Sequence, residues 1–233
     1  MKKTKFYEDI ALPTITDIDF KNRVEKALTM VEGTNVNSIL DIGCIPQITE
    51  ELKTKFNSFT VGVNISKKVI KSKKKKDVRY IISDVREITL KHKFDLVFCG
   101  ELIEHIFNVD EFAEKIKELL NDGGYLLLTT PNLSSLFNRV SILFGFQPYG
   151  LNPSKKTIFN PFIKYDYFSG HISVFTYHAL ISFIEKNGFY VLRLRGYNLG
   201  HKGENKIRST LRKIISKVPS LAEGIIVLAR KIS

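Results

Sequence analysis

Polar side chains lie at or beside the ends of four apolar stretches in the first half of the chain. The residues are Asp41, Asn64, Asp84 and Glu101. If the stretches are parallel strands of one sheet, their carboxyl ends share one edge, which is where ligands of open α/β sheets bind. Carboxylate and amide oxygens there could accept hydrogen bonds from hydroxyl and amino groups of a small ligand. The sequence therefore predicts a ligand site built from four strand ends.

Two histidines are candidates for the proton acceptor of a reaction. His105 lies on the turn after Glu101, and His171 lies in the sequence SGHISVFT. An imidazole suits a general base because it titrates near neutral pH. Each histidine could instead only hold a loop in place by hydrogen bonding. We prefer this structural role for His105 and leave both roles open for His171.

The segment 38–52, SILDIGCIPQITEEL, predicts the elements that position the first of these polar residues. Its apolar run is closed by Gly43, as in a buried parallel strand that ends at a turn. Pro46 suits the first position of a helix, where its missing N–H is no loss. Apolar residues then recur every fourth position along that helix: Ile48, Leu52 and Phe56. Strand, tight turn and helix form half of a βαβ unit.

Strands and helices alternate along the rest of the chain. Further strands are predicted at 59–63, 79–82, 94–99, 125–130, 189–195 and 224–229, the last of which closes the sheet. Helices are predicted at 17–32, 66–75, 110–120, 133–144, 176–187 and 206–218, and residues 121–124 are predicted to be a loop. This alternation predicts an α/β fold whose parallel sheet is covered by helices on both faces.

Five segments in register resemble the motifs of class I S-adenosylmethionine-dependent methyltransferases. They are LDIGCIPQITEEL, TVGVNIS, ISDVRE, FDLVFCGELIEHI and NDGGYLLLTTPN, and together they cover residues 38–132. A sixth, SGHISVFT, is similar to a stretch of small-molecule, lipid and sugar methyltransferases. In the first motif, Ile45 and Gln47 replace two glycines, and in the second, Asn64 replaces an acid.

The resemblance implies a Rossmann-like methyltransferase fold with a mostly parallel seven-stranded sheet. It implies S-adenosylmethionine as cofactor and S-adenosylhomocysteine as product. The residues expected to bind the cofactor are Asp41, Gly43, Cys44, Asn64, Ile65, Asp84, Val85 and Glu101. Among them, Asn64 would bind the ribose and Asp84 the adenine amine, with Val85 beside the ring. His171 and His105 are the catalytic candidates for O-methylation of a small-molecule, lipid or glycan acceptor, and no metal ligands are expected.

The two departures from the motifs predict weakened but not abolished cofactor binding. Neutral hydrogen bonds are roughly half as strong as charged ones, so Asn64 should cost about 1 kcal/mol, or about five- to tenfold in affinity. A β-branched residue before proline is restricted to extended geometry. The loop that contains Ile45 must therefore follow a different backbone path from a loop with glycine at this position. The Ile45 side chain could then occupy space beside the methionine moiety.

A single domain spanning 1–233 is expected, with an N-terminal helix at 17–33, a cofactor-binding core at 38–132 and a C-terminal part at 171–233. Residues 145–170 have no clear periodicity and are predicted to form a lid. Their aromatic side chains argue against disorder: Phe146, Tyr149, Phe159, Phe162, Tyr165, Tyr167 and Phe168. The alternative is a packed extension without a ligand role.

The formal net charge of +12 permits nucleic acid, anionic lipid or acidic substrates as partners. A lysine block at 67–76 contains no aromatic residue that could stack on bases, so a solvated face is preferred and nucleic acid is not favoured. The basic helix at 206–218 could contact membrane lipid or nucleic acid, but docking onto its own domain is preferred.

No signal peptide or transmembrane run is apparent in the sequence, so a cytoplasmic location is predicted. Cys44 and Cys99 are the only cysteines, and both are expected to be buried without a disulfide or metal role.

Three other functions were weighed. A dinucleotide site would need three glycines in the first turn, where only Gly43 is present, and is set aside. A non-catalytic methyltransferase-like binding protein and an RNA methyltransferase stay open as alternatives.

Overall fold

The computed structural model describes residues 18–71, 78–151, 154, 160, 170–198 and 206–232, with residues 18–21 and 208 described by their backbone only. A seven-stranded sheet forms the centre of this part of the chain. Its strands are β1 (Ser38–Ile42), β2 (Phe59–Asn64), β3 (Arg79–Ile82), β4 (Phe94–Gly100), β5 (Leu120–Pro131), β6 (Phe189–Tyr197) and β7 (Gly224–Lys231).

The strand order is β3-β2-β1-β4-β5-β7-β6. β1 pairs in parallel with both β2 and β4, and β5 extends the parallel part. β7 is antiparallel to both of its neighbours, β5 and β6. The chain order reverses between β1 and β4, so the crevice beyond their carboxyl ends is where a ligand of this fold is expected. The predicted mostly parallel, seven-stranded sheet is confirmed.

Seven α-helices and one 3₁₀ helix are described around the sheet. They are α1 (Ile18–Thr29), α2 (Pro46–Phe56), α3 (Lys67–Lys71), η1 (Ile103–His105), α4 (Val109–Leu119), α5 (Leu136–Leu143), α6 (Tyr177–Lys186) and α7 (Lys206–Ile215). Side-chain caps begin several of them. Asn108, Ser135 and Thr176 accept hydrogen bonds from backbone N–H groups in the first turns of α4, α5 and α6.

Both faces of the sheet are covered by apolar side chains. Ile39 of β1 packs with Leu28 and Leu52 on one face. Leu40 of the same strand packs on the opposite face, in a cluster that includes Phe112. Burial of every residue of β1 is what a central strand between two helical layers requires.

The predicted loop at 121–124 is wrong, because these residues belong to β5. The register between β4 and β5 shifts, so that Phe94 pairs with Leu120 and Leu96 with Tyr125. Side chains from β7 hold the intervening residues: Arg230 donates to the Gly123 carbonyl. Local composition indicated a turn, but partners distant in sequence fix the backbone.

The prediction that the last strand closes the sheet is also wrong. β7 lies between β5 and β6, and β6 is the edge strand. The burial pattern agrees, because the first six residues of β7 are buried whereas Tyr190 and Leu192 of β6 are exposed. Chain order alone does not fix which of two antiparallel neighbours lies outside.

The predicted helix at 66–75 is described only as α3, and Ser66 caps it by accepting from Val69 N. Most of the predicted lid at 145–170 lies outside the described residues, as do residues 72–76 of the lysine block at 67–76.

The predicted basic helix is α7. Its apolar side was predicted to pack on its own domain, and this is wrong for four residues, whose side chains are exposed. They are Ile207, Leu211, Ile214 and Val218. Only Ile215 of the predicted apolar set is buried. The side of the helix that faces the domain is the one with Arg212 and Ile215, both buried, and not the predicted apolar side.

Candidate active site

The turn between β1 and α2 is held against β2 by two backbone hydrogen bonds. Gly43 N and Cys44 N both donate to the Val63 carbonyl, at 2.9 and 3.0 Å. Gly43 has a φ of +76°, and a Cβ there would meet the Leu102 side chain at 3.1 Å. Both constraints favour glycine. Leu102 belongs to the segment after β4, so this contact joins the first and fourth strand ends.

Ile45 takes the extended conformation predicted for a residue before proline, with φ of −114° and ψ of 122°. Its partly buried side chain packs against the apolar cluster that contains Leu28, Ile39 and Leu52. Part of this side chain is therefore accommodated by the helical layer.

Asn64 bridges the turns that follow β1 and β2. Its Nδ2 donates to the Cys44 carbonyl at 2.9 Å, and its Oδ1 accepts from Ser66 N at 2.8 Å. Ile65, which is half-buried, lies between Asn64 and Ser66 in the sequence. Three residues predicted at the cofactor site are thus brought together. An aspartate could not donate to the Cys44 carbonyl, so the asparagine has a structural function of its own.

Asp84 lies at the carboxyl end of β3 and is held by Arg86. Its Oδ1 accepts from Arg86 N and Arg86 Nε, both at 3.0 Å, and Oδ2 contacts Arg86 Nη2. This charged pair fixes the carboxylate orientation. The neighbouring Val85 is buried.

Asp41 is buried within β1, with 2% of its surface exposed. Thr49 Oγ1 of α2 donates to its Oδ2 at 2.6 Å. Burial raises the pKa of the Asp41 carboxyl to about 7, and the Thr49 hydrogen bond opposes this shift. The hydrogen bond ties the first strand to the helix that follows the predicted cofactor turn. Cys44, whose thiol pKa is raised by burial, is also buried, as is Cys99.

Glu101 is the centre of a buried network that the sequence did not predict. Its carboxylate accepts from Thr129 Oγ1 at 2.8 Å and Tyr197 Oη at 2.7 Å, and pairs with Arg23 Nη1 at 3.3 Å. The residue has a φ of +50°, which a non-glycine residue rarely adopts. Glu101 N donates to the Thr129 carbonyl. The network joins α1, β4, β5 and β6 at one edge of the sheet.

The two candidate catalytic histidines are in contact. The ring centroids of His105 and His171 are 4.9 Å apart. The segment that carries His171 is fastened to η1, because Ile172 N and Ser173 N both donate to the Glu104 carbonyl. Two residues 66 positions apart in the sequence are therefore brought together at the ends of β4 and β5.

Backbone carbonyls orient both imidazoles. His105 Nδ1 lies 3.2 Å from the Gly170 carbonyl, and His171 Nδ1 lies 2.7 Å from the Gly150 carbonyl. Because a carbonyl only accepts, each Nδ1 is the protonated nitrogen and each Nε2 carries the lone pair. Burial lowers the pKa of His105 to about 4, and it also lowers the pKa of His171. Both rings are therefore neutral at pH 7.

Glu104 is a buried carboxyl beside this histidine pair. Its Oε2 accepts from Thr130 Oγ1 at 3.0 Å. Its Oε1 has no hydrogen-bond partner within the described part of the chain and lies 4.0 Å from His171 Nε2. Burial and the nearby Glu101 carboxylate raise the pKa of Glu104 well above its ordinary value. The sequence reasoning missed this residue, although its adjacency to His105 was visible.

Glu104, His105 and His171 could together hold a metal ion. One ligand atom from each lies within 4.8 Å of the others. Imidazole nitrogens with a carboxylate oxygen are typical ligands of zinc and other divalent transition metals. The absence of a metal, expected from the sequence, stays a prediction.

The strand order with an antiparallel β7, and polar side chains gathered where that order reverses, define the class I methyltransferase fold. N-methyltransferase NodS from Bradyrhizobium japonicum, solved with S-adenosyl-L-homocysteine, shares the fold with a TM-score of 0.63. The match has 11% identity and covers 98% of this chain and 97% of that one. A SAM-dependent methyltransferase from Archaeoglobus fulgidus matches with a TM-score of 0.58 and 18% identity, over 91% of this chain and 93% of that one.

The chain belongs to the methyltransferase domain family, whose model matches residues 19–194. The resemblance predicted from the motifs is thereby confirmed. Curated relatives include the ubiquinone biosynthesis O-methyltransferase of Pelagibacter ubique, 29% identical over 40% of this chain and 42% of that one. The rat mitochondrial counterpart is 25% identical over 68% of this chain and 46% of that one. The malonyl-[acyl-carrier protein] O-methyltransferase of Calditerrivibrio nitroreducens is 27% identical over 55% of this chain and 51% of that one.

The chain spans about half the length of the curated relatives it matches. None of the helices in the described ranges is long and apolar enough to cross a bilayer.

Proposed function

We propose that the protein transfers the methyl group of S-adenosylmethionine to an oxygen atom of a small-molecule or lipid-like acceptor. The observation that carries the proposal is the neutral histidine pair beside the strand ends at which a class I cofactor is expected. Relatives named as O-methyltransferases support oxygen as the acceptor atom. The fold does not choose the acceptor, because NodS shares it and is an N-methyltransferase.

The cofactor would lie across the turns after β1, β2 and β3. In this proposal Asn64 and Ile65 would contact the ribose, and Asp84 and Val85 would contact the adenine. Gly43 and Cys44 offer a closely approachable backbone where the methionine part would lie. In this arrangement Asp41 acts on the cofactor indirectly, because its carboxylate binds Thr49 and positions α2. Glu101 is similarly occupied by Arg23, Thr129 and Tyr197 and would orient the edge of the site.

The acceptor would lie beside His171. Its hydroxyl oxygen would attack the methyl carbon while the bond from that carbon to the sulfonium sulfur breaks, and His171 Nε2 would take the hydroxyl proton. The products are the methylated acceptor and S-adenosylhomocysteine. The sulfonium is already activated, so alignment of the acceptor and removal of its proton are the protein's main contributions.

The lid at 145–170 would cover the acceptor. The Gly150 carbonyl of this segment accepts a hydrogen bond from His171 Nδ1. The preferred, purely structural role of His105 is supported by its Gly170 contact.

The metal-capable trio supports a second version of the same reaction. A divalent cation on Glu104, His105 and His171 would lower the pKa of a bound acceptor hydroxyl. Both histidines would then be ligands, and His171 would not take the proton. The two versions differ in whether a chelator removes activity.

The experiment that tests the proposal is a methyl-transfer assay with isotope-labelled S-adenosylmethionine and a panel of catechols, phenols and carboxylates. The protein is first titrated with the cofactor, because the alternative of a non-catalytic protein that has lost the cofactor predicts no binding. Transfer to an oxygen acceptor that is lost in His171→Ala, but not in the exposed His178→Ala, would support the proposal. Cofactor binding without transfer to any oxygen acceptor, or transfer only to RNA, would contradict it.

A further inference from the structure

Helix α7 exposes an apolar stripe on the surface of the protein. The stripe consists of Ile207, Leu211, Ile214 and Val218, which are 80%, 47%, 58% and 46% exposed. These residues recur at intervals of four, three and four, so they lie along one side of the helix and the turn that follows it. Single exposed aliphatic residues are ordinary, but a continuous row of four indicates an interaction surface.

The orientation of α7 is fixed by the opposite side of the helix. Arg212 is buried, with its guanidinium 4.4 Å above the Phe137 ring and in contact with the Glu223 carboxylate. Ile215 is also buried, and the Arg212 carbonyl accepts from Asn198 Nδ2. These anchors hold the apolar stripe outward. The exposure is therefore a consequence of how the helix docks.

A row of lysines runs beside the apolar stripe. Lys206, Lys213 and Lys217 each precede a stripe residue by one position, and all three are exposed. Successive helical residues are rotated by about 100°, so the lysine row borders the stripe along its whole length. The sequence 206–222 contains no acidic residue. Long lysine side chains next to an apolar stripe can extend to an anionic surface while the stripe is buried.

The stripe lies on the side of the sheet that carries the candidate active site. β6 leads toward α7 and ends at Tyr197, which pairs with Gly224, and Pro131 at the end of β5 pairs with the same glycine. α5 follows β5 and contacts α7 through Phe137 and Arg212. The end of α5 also carries three exposed apolar residues: Ile142, Leu143 and Phe144.

We propose that α7 and the end of α5 dock the protein onto an anionic phospholipid bilayer. Apolar residues beside a basic row are what a helix lying in the membrane interface presents. The net charge of +12 adds attraction toward an anionic leaflet. α5 and α7 follow the carboxyl ends of β5 and β6, so docking through them would bring the lipid to the side of the sheet that carries the candidate active site. The further consequence, that a lipid-like acceptor enters from the bilayer, rests on the proposed function.

Two other occupants fit the surface less well. A second copy of the chain carries the same lysine row and the same formal net charge of +12, so the two copies repel each other. Single-stranded nucleic acid would need aromatic residues for stacking, and the stripe is purely aliphatic.

The test is co-sedimentation of the full chain with vesicles of phosphatidylcholine alone or mixed with phosphatidylglycerol. We expect binding to the mixed vesicles, weakened by high salt. Lys213→Gln combined with Lys217→Gln should weaken the partition coefficient about thirtyfold, at about 1 kcal/mol per lysine. Leu211→Gln combined with Ile214→Gln should weaken it at least about tenfold. Leu192→Gln, on the exposed edge strand β6, is the matched control and should bind as the unmodified protein does.

Equal vesicle binding by the unmodified protein and both double variants would overturn the proposal, as would failure of the unmodified protein to bind mixed vesicles. Sedimentation velocity of the same proteins without lipid tests whether a second copy of the chain binds the stripe. A dimer that is lost only in Leu211→Gln combined with Ile214→Gln would also overturn the proposal. Gel shifts with RNA at low salt test whether nucleic acid binds this surface. RNA binding without vesicle binding would overturn the proposal. Cofactor titration of each variant shows that folding is intact, and none of these measurements depends on methyl transfer.

Discussion

The Nε2 atom of His171 lies 4.0 Å from Oε1 of Glu104, and both side chains are largely withdrawn from solvent. His171 donates through Nδ1 to the Gly150 carbonyl, so the lone pair on Nε2 is directed to the Glu104 side of the ring. A lone pair and an unpartnered carboxyl oxygen at this separation form a polar site that can take a proton or a cation. A proton taken by His171 and a cation held by Glu104, His105 and His171 correspond to the two versions of the mechanism.

His171→Ala should lower kcat about 10²-fold to 10⁴-fold, which is the usual contribution of a general base. The dissociation constant of S-adenosylhomocysteine should change by less than about twofold, because the cofactor is held by other strand ends. His178→Ala, at an exposed position on α6, is the matched control. Steady-state kinetics and calorimetry measure the two quantities. A parallel loss of cofactor affinity and kcat in His171→Ala would assign the residue to the fold.

Metal removal distinguishes the two versions of the mechanism. If His171 is the proton acceptor, treatment with a chelator should leave kcat unchanged. If the trio holds a cation, chelation should abolish transfer, and one divalent metal should restore it. Glu104→Gln should then weaken metal binding, because a neutral amide replaces the anionic ligand. Elemental analysis of the purified protein gives a readout that is independent of turnover.

The pKa of His105, lowered to about 4, predicts a stability effect in acid. The unfolded histidine titrates near its ordinary value of about 6.5, so between about pH 4 and 6.5 the unfolded state binds more protons. Stability from this group is complete above about pH 6.5 and is lost as the pH falls toward 4. Glu104 and Asp41, whose pKa values are raised, act in the opposite direction. The informative quantity is therefore the difference between the protein and His105→Asn, measured by urea unfolding at several pH values. An identical pH slope in the two would contradict the neutral, buried imidazole.

Tyr197→Phe should destabilise the protein by about 1.5 to 3 kcal/mol, because it removes a hydrogen bond from a buried hydroxyl to the partly buried Glu101 carboxylate. The matched control is Tyr190→Phe on the same strand, whose side chain is exposed, with an expected change within about 0.5 kcal/mol. Urea unfolding measures both. Equal small effects would mean that the Glu101 network adds no stability.

Asn64→Asp tests whether the departure from the family motif is a defect. The substitution creates the acid that the motif has, but it removes the donor to the Cys44 carbonyl. We expect no gain in cofactor affinity and a loss of about 1 kcal/mol in stability. Asn64→Ala serves as the reference that lacks both contacts. A five- to tenfold tighter dissociation constant in Asn64→Asp would instead show that the charged ribose contact dominates.

The sequence predicted the fold because apolar periodicity and strand-end chemistry agree over residues 38–132. It also predicted the geometry of Ile45, since the restriction before proline is local. It could not predict that Ile45 packs on the α1 layer, or that Arg23 and Tyr197 bind Glu101. Those contacts depend on sheet order and on elements far apart in the chain. The inner position of β7 was missed for the same reason.

The candidate site was predicted only in part. Strand ends gave Asn64, Asp84 and His105, and the segment SGHISVFT gave His171. The structure brings the two histidines into contact. Glu104 was missed because a glutamate on a short helical turn usually faces solvent, and its burial follows from the contact of η1 with the segment 170–173.

The most direct test of the account is calorimetric titration of the purified protein with S-adenosylmethionine and S-adenosylhomocysteine, after carried-over cofactor has been removed. We predict saturable binding of both with micromolar dissociation constants, weakened at least about tenfold in Asp84→Ala. Absence of binding at millimolar ligand would contradict the account, because the turns after β1, β2 and β3 would then hold no cofactor.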